Sequence, residues 1–366
     1  QQVLDHPEMP GARWFEGARL NYAHHILRWA DERPDGVAVV GRSQSRGRVT
    51  LTWGELAEQV ARARRGLSEL GVGEGDRVAA YLPNVPETIV AFLAACSLGA
   101  TWTSCAPEFG VQAVLDRFAQ VEPTVLVAVD QYRYGRRTVD RTDELATIRA
   151  GLPSLSATVV LPYPDTSTSG AGLVTWDELL AETEPLDIVP VDAAHPLYVL
   201  YSSGTTGLPK PIVHGHAGVL VEHFKVLGLH GDTGVGDRLF WFTTTGWMMW
   251  NYVVSGLLVG AQLVLYDGDP NADGPSTLWE LAAEEDVTWF GGGAPFFTAC
   301  RRAGIRPGEE LDLTQVRAIG STGAPLPADA FRWISEAVSP TAMLSPFSGG
   351  TDVCSAFVGG SPLTPV

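Results

Sequence analysis

Short apolar runs alternate with amphipathic helical patterns along most of this chain, and that alternation limits its fold more than any other feature. In TWGELAEQVARARRGLSELG, residues 52–71, the apolar Leu56, Val60, Ala63, Leu67 and Leu70 recur at steps of four and three, the spacing of one helix face. Thr52 and Glu55 have the capping-box spacing ahead of it, and Gly71 ends it. DRVAAYL then reads as a buried strand, and NVPETIVAFLAACSLG as a helix with Asn84 as its cap and Gly99 as its stop. ATWTSC, GVQAVLDRFAQ and TVLVAVD continue as strand, helix and strand. Parallel strands need a crossover, which a helix supplies, so this order predicts an α/β architecture with parallel sheets.

The alternation lapses over residues 131–175, where Arg, Ser, Thr, Gly and Pro dominate, and PYPDTSTSGAG reads as a flexible surface loop. It resumes with the strand LYVLYS, a Gly-rich loop, a helix near 216–229, the strand RLFWFT and a helix from Trp247. AQLVLY, a helix near 276–285, VTWF, a helix near 295–303, VRAIGS, a helix near 327–338 and AMLS complete it. Two runs of βα units predict two sheets, in subdomains of roughly 50–200 and 201–366; the first 50 residues carry no clear pattern.

At 366 residues the chain exceeds what one hydrophobic core usually serves. A formal net charge of -17 argues against a nucleic-acid partner, since phosphate backbones are held by clustered Lys and Arg. The apolar stretch 252–266 is too short to span a bilayer and is broken by Gly and Gln, so no membrane partner is expected. Cys96, Cys105, Cys300 and Cys354 show no metal-ligand spacing and read as reduced core thiols of a cytoplasmic enzyme. GVGEG, residues 71–75, mimics a dinucleotide loop but follows a helix rather than a strand.

The chain has only two lysines, Lys210 and Lys225, among 25 Lys and Arg. Lys210 closes YSSGTTGLPK. There Ser202, Ser203, Thr205 and Thr206 offer hydroxyls, while Gly204 and Gly207 let backbone N–H groups approach an anion. A point charge beside such a loop suits phosphate oxygens. Leu208 and Pro209 separate Gly207 from Lys210, and no Ser or Thr follows the lysine, so the loop is not a Walker A motif. His214 and His216, just beyond it, read as supporting residues rather than catalytic ones.

YSSGTTGLPK resembles the signature loop of the adenylate-forming superfamily, which holds acyl-CoA synthetases, luciferases and peptide-synthetase adenylation domains. Three later segments agree in order: TTTGWMMWNYVVSGLLVGAQLVLYDG (243–268), STGAPL (321–326) and FSGGTD (347–352). The resemblance covers essentially the whole chain. It implies the large N-terminal domain of that fold, with two mainly parallel sheets flanked by helices. It also implies the superfamily's reaction: carboxylate and ATP give an acyl-adenylate, which CoA then converts to a thioester. Carried onto this sequence, it assigns residues Ser202 to Lys210 to the β- and γ-phosphates, and Gly323, Ala324 and Pro325 to the adenine side. Ser348 and Gly350 fall to the ATP site, Thr351 to the α-phosphate as a donor, and Asp352 to Mg2+. Asp stands where Glu is commoner; it keeps a hard oxygen ligand on a shorter arm. Lys210 and Thr351 are the catalytic candidates.

For the acid, the resemblance assigns Trp247, Trp250, Gly291, Gly292 and Gly349 to the acyl pocket. In acetyl-CoA synthetases a Trp closes the pocket at the position matching Gly349, so the glycine implies room for more than two carbons. SGGTD, WFEGARLNYA and FVGGSPLTPV look most like the acetoacetate-activating branch; propionate, butyrate or a truncated nucleotide-binding protein are the alternatives. A buried keto oxygen left unpaired costs about 1–3 kcal/mol, and the Trp247 indole or the backbone of 291–293 are candidate donors. The superfamily's ribose-binding Asp, hinge and small C-terminal domain with its bridging lysine find no match after Asp352. The expectation is a chain lacking the small C-terminal domain, which binds nucleotide weakly and adenylates poorly.

Overall fold

A computed structural model describes residues 3–163, 172–202 and 207–363. The segment PYPDTSTSGAG falls almost wholly outside the described residues.

Two seven-stranded sheets carry the fold. The first runs, edge to edge, Leu173–Thr175, Ala157–Val160, Val125–Ala128, Arg77–Tyr81, Thr101–Cys105, Pro196–Ser202 and Lys210–Gly215. The second runs Met343–Pro346, Ala318–Thr322, Trp289–Gly293, Arg238–Trp241, Gln262–Asp267, Val37–Ser43 and Val49–Thr52. Each is parallel except for one antiparallel hairpin at an edge. Apart from those hairpins the two sheets share one winding: the chain lays two neighbouring strands, returns to the other side of the first, and continues outward.

The alternation predicted from sequence is therefore present, with four corrections. Residues 131–175 are not featureless: they hold the hairpin Gln131–Tyr134 with Arg137–Asp140, the helix Thr142–Ala150 and two strands of the first sheet. The sheets do not part near residue 200, because the hairpin Pro196–Ser202 with Lys210–Gly215 belongs whole to the first. The unpatterned start supplies Val37–Ser43 and Val49–Thr52 to the second. Asn84 is not a helix cap: the helix Pro86–Ser97 is preceded by Val85, with Pro86 in its first turn, where a missing N–H costs nothing.

Local chemistry explains the other ends. The capping box forms, Thr52 Oγ1 accepting from Glu55 N at 3.1 Å and the Glu55 carboxylate from Thr52 N at 2.8 Å. The helix Trp53–Glu69 then buries Leu56, Val60, Ala63 and Leu67 completely. The helix Pro86–Ser97 is buried on nearly every side and packs against strands of both sheets, as an all-apolar helix must. The hairpin from the chain's start is pinned to the second sheet by Glu285, which takes Arg42 at 2.6 Å and Arg48 at 2.9 Å. All four cysteines are free and buried. Burial pushes the thiols of Cys96, Cys105 and Cys354 up to about 12, so they stay protonated at neutral pH.

Candidate active site

Parallel strands end on one side, and both sheets aim their carboxyl ends at a common cleft. Thr245, beyond the strand Arg238–Trp241, donates its hydroxyl to Leu82 O at 2.7 Å. Ser104, near the end of Thr101–Cys105, donates to Thr245 O at 2.7 Å. In open α/β sheets such a crevice, where the strand order reverses, is where ligands bind.

The Gly-rich loop closes the edge hairpin of the first sheet, with Ser202 paired in register with Lys210. Ser203, Gly204, Thr205 and Thr206 lie outside the described residues. Gly207 has φ +110°, a conformation other residues rarely adopt. Lys210 is exposed and has no ion-pair partner among the described residues, whereas Lys225 is held by Glu222 at 2.8 Å. That leaves the Lys210 ammonium available to an anion.

Two further turns sit at carboxyl ends of the second sheet. Gly323, Ala324 and Pro325 follow the strand Ala318–Thr322 and are exposed, Gly323 with φ +84°. Beyond Met343–Pro346, the short strands Ser348–Gly350 and Ser355–Val358 form a hairpin whose turn presents Thr351 and Asp352, the latter exposed. That turn reaches the loop-bearing hairpin: Thr351 O accepts from His214 Nε2 at 2.8 Å, and Cys354 O from His223 Nε2 at 2.8 Å. The Cys354 thiol and the Tyr198 hydroxyl meet at 3.2 Å. Burial lowers both histidines, His223 to about 4, so both are neutral at pH 7.

Between the sheets lies a cavity of about 290 Å³, lined among others by Asn84, Glu108, Tyr134, Thr243, Trp247 and Asp267. Trp247 is 64% exposed, and its indole N–H has no partner among the described residues. Trp250 is elsewhere. It is fully buried, stacks on Trp102 and donates to Asn84 Oδ1 at 3.0 Å, so it belongs to the core between the sheets. Gly291 is also a packing residue, since an added Cβ would lie 1.9 Å from the Trp241 ring. Gly292, its neighbour on the strand, faces Phe296. Gly349 owes its identity to close approach: a Cβ there would lie 1.9 Å from Ser355 O.

The AMP-binding enzyme family profile matches residues 26–363. The chain belongs to that family. Among AMP-binding enzymes it is 43% identical, over its whole length, to acetoacetyl-coenzyme A synthetase of Rhizobium meliloti (strain 1021), covering 56% of that protein. It is 38% identical to malonamoyl-CoA synthetase vrtB of Penicillium aethiopicum, over 98% of this chain and 53% of that protein. The solved structure of acetoacetyl-CoA synthetase from Streptomyces lividans superposes with a TM-score of 0.96 at 48% identity, covering all of this chain and 57% of that one. The chain thus spans about half the length of the curated relatives it matches.

Seen as an AMP-binding enzyme, the chain has site features that sequence reasoning missed. Asp267 lies at the end of the segment 243–268 without standing out there, yet only 7% of it is exposed, it lines the cavity, and it accepts from the Tyr163 hydroxyl at 2.5 Å. His223 carried no signal beyond being a polar residue in an apolar helix. No described helix is long and apolar enough to cross a membrane.

Proposed function

We propose that this chain carries the nucleotide- and acyl-binding part of an ATP-dependent acid–thiol ligase whose acid is acetoacetate. The observation that carries the reading is that the loop ending at Lys210, the turn 323–325 and the turn Thr351–Asp352 each lie beyond the carboxyl end of a sheet strand, and that a cavity lined by Trp247 lies beyond strand ends of both sheets.

On this reading the loop N–H groups and Lys210 hold the β- and γ-phosphates against a protein of net charge -17. The exposed turn 323–325 takes the adenine, and Thr351 donates to the α-phosphate. A carboxylate oxygen attacks the α-phosphorus, the bond to the β-phosphate oxygen breaks, and pyrophosphate leaves with that electron pair. The CoA thiol, once deprotonated, attacks the acyl carbon and AMP departs. For Mg2+ the residues fit: Asp352 is an exposed carboxylate beside Thr351. Mg2+ typically takes one or two carboxylates with phosphate oxygens and water. Bound there, Mg2+ neutralises phosphate charge, and Asp352 serves to hold it.

Acetoacetate and malonamate share a carbonyl on the carbon beta to the carboxylate, and relatives named for each resemble this chain. A buried carbonyl of that kind needs a donor, and the cavity offers the indole N–H of Trp247 and the Thr244 hydroxyl, which is buried without a partner among the described residues.

Calorimetry with non-hydrolysable acyl-adenylate analogues tests this, comparing acetoacetyl, malonamoyl, acetyl and butyryl forms. The acetoacetyl form should bind about tenfold or more tightly than the butyryl form, the value of one satisfied buried carbonyl. Preference for the malonamoyl form would move the assignment to the amide acid. Equal affinities would refute a beta-carbonyl substrate, and no binding at all would refute the site.

A further inference from the structure

A two-stranded hairpin in water is marginally stable at best, and the one that presents Thr351 and Asp352 is short. Ser348–Gly350 pairs with Ser355–Val358, and most of its residues are exposed or half-buried. Its turn holds one backbone bond of its own, Cys354 N to Thr351 O at 3.2 Å, and is otherwise held by side chains from one other place in the fold. His214 donates from Nε2 to Thr351 O and His223 donates from Nε2 to Cys354 O, both at 2.8 Å, so the carbonyls at the two ends of the turn are each held by a histidine. Tyr198 adds its hydroxyl against the Cys354 thiol at 3.2 Å.

The histidine protonation follows from the partners. A carbonyl only accepts, so each Nε2 must carry a hydrogen. For His223 the other ring nitrogen lies 2.6 Å from Ser255 Oγ, which in turn meets the Tyr22 hydroxyl at 2.6 Å. A relay in which Tyr22 donates to Ser255, and Ser255 to His223 Nδ1, leaves the Nε2 hydrogen fixed toward Cys354 O. Burial keeps both rings neutral.

All three side chains come from the elements that carry the Gly-rich loop. Tyr198 is on the strand entering it, His214 on the strand leaving it, and His223 on the helix His216–His223 that follows directly. Lys210 and His214 share one strand, about 13 Å apart at the usual rise. Lys210 and the Thr351–Asp352 turn are therefore fastened to the same hairpin, although they lie some 140 residues apart in sequence.

We propose that His214 and His223 are positioning residues that hold Thr351 and Asp352 at a fixed distance from Lys210, so that the lysine and the Thr351–Asp352 turn of a triphosphate site move as one body. This rests on the reading that those two halves bind phosphate and Mg2+. Neither histidine touches the nucleotide. The turn carbonyls are spent on the histidines, which leaves the Thr351 hydroxyl and the Asp352 carboxylate free to face the ligand.

The test is the affinity of this chain for the magnesium complex of the β,γ-imido analogue of ATP, and for adenosine, which lacks phosphate, in wild type and four variants. His214→Leu removes one of the two donors to Thr351 O, leaving Cys354 N at 3.2 Å, and is expected to weaken the magnesium complex about fivefold, the usual value of one hydrogen bond, with adenosine within about twofold. His214→Gln retains a side-chain N–H of similar reach and is expected to recover most of the loss. His223→Leu and His223→Gln repeat the comparison at the fully buried position, and thermal midpoints verify that each variant is folded. Equal weakening by Leu and Gln would overturn the donor role, as would equal loss for adenosine and the magnesium complex, or no loss in folded His214→Leu. If wild type binds adenosine but gains nothing from phosphates and Mg2+, the underlying reading fails instead, and the inference with it.

Discussion

Asp267 offers a stability test that depends on its charge alone. It is 7% exposed, and its one side-chain hydrogen bond is from the Tyr163 hydroxyl. The nearest cation, Arg46, lies over the Tyr163 ring at 5.3 Å and is already paired with Glu87 at 2.7 Å. Burial therefore pushes Asp267 up from 3.8 to about 7, against the lowering effect of the Tyr163 hydrogen bond. This carboxyl is raised in the folded state, the reverse of an ion-paired one, so folded protein holds the proton where unfolded chain has released it. Its contribution is neutral below about pH 4, becomes unfavourable between about 4 and 7, and is fully unfavourable above. Three pK units correspond to about 4 kcal/mol. Asp267→Asn keeps an oxygen for Tyr163 to donate to and has no charge to bury. Urea titrations read by tryptophan fluorescence should find the variant more stable by about 2 kcal/mol near pH 5 and about 4 kcal/mol near pH 8. Glu108 acts on the same carboxyl, so the difference reads Asp267 together with its coupling to Glu108. A gap that stays constant from pH 5 to pH 8, or that narrows as pH rises, would refute the reasoning, because it would mean that the buried carboxyl is ionised in the folded protein.

Gly291→Ala places a Cβ 1.9 Å from a Trp241 ring that packs in a cluster with Trp289 and Phe347, their ring centroids 5.7–5.9 Å apart. The same titration should show a loss of about 1–3 kcal/mol, the usual cost of overpacking, and a loss near zero would mean that the aromatic stack has slack. Thr52→Ala removes the acceptor of Glu55 N–H and should cost about 1 kcal/mol, with Thr52→Ser keeping most of it; equal loss from both would assign the effect to the methyl group.

What the sequence made legible was local. The capping box of Thr52 and Glu55, the helix face through Leu56 and Leu67, and the strands of both sheets follow from residues within a turn or two of one another. Strand pairing across long distances was not legible. KPIVHG has neither a clean alternation nor an apolar run, and it is a strand because Pro196–Ser202 lies beside it. QYRY and RTVD are mostly exposed, so the apolar signal that marks other strands is missing. For the site, the motifs located the loop, the 323–325 turn and Thr351–Asp352, yet their spacing could not tell a pocket tryptophan from a core one. Trp250 is decided by Asn84, 166 residues away, and His223 by Cys354, 131 residues away. Asn84 was read as a cap for the same reason: its partners, Trp250 and Thr243, are remote.

The second sheet takes its hairpin from the beginning of the chain. Val37–Ser43 pairs in parallel with Gln262–Asp267, about 220 residues further on. At roughly 5–20 residues per second of synthesis, this segment leaves the ribosome about 10–45 s before its partner exists. VAVVGRS opens with four apolar residues, three of them β-branched, the composition that pairs indiscriminately when unpaired. Its antiparallel companion Val49–Thr52 is made within a second or so, and a hairpin ending in Arg46 and Arg48 gives it a charged tip in the interval. The nascent chain must therefore carry a half-finished sheet edge through most of its production, and a pause or a break between residues 52 and 262 leaves that edge without its native neighbour.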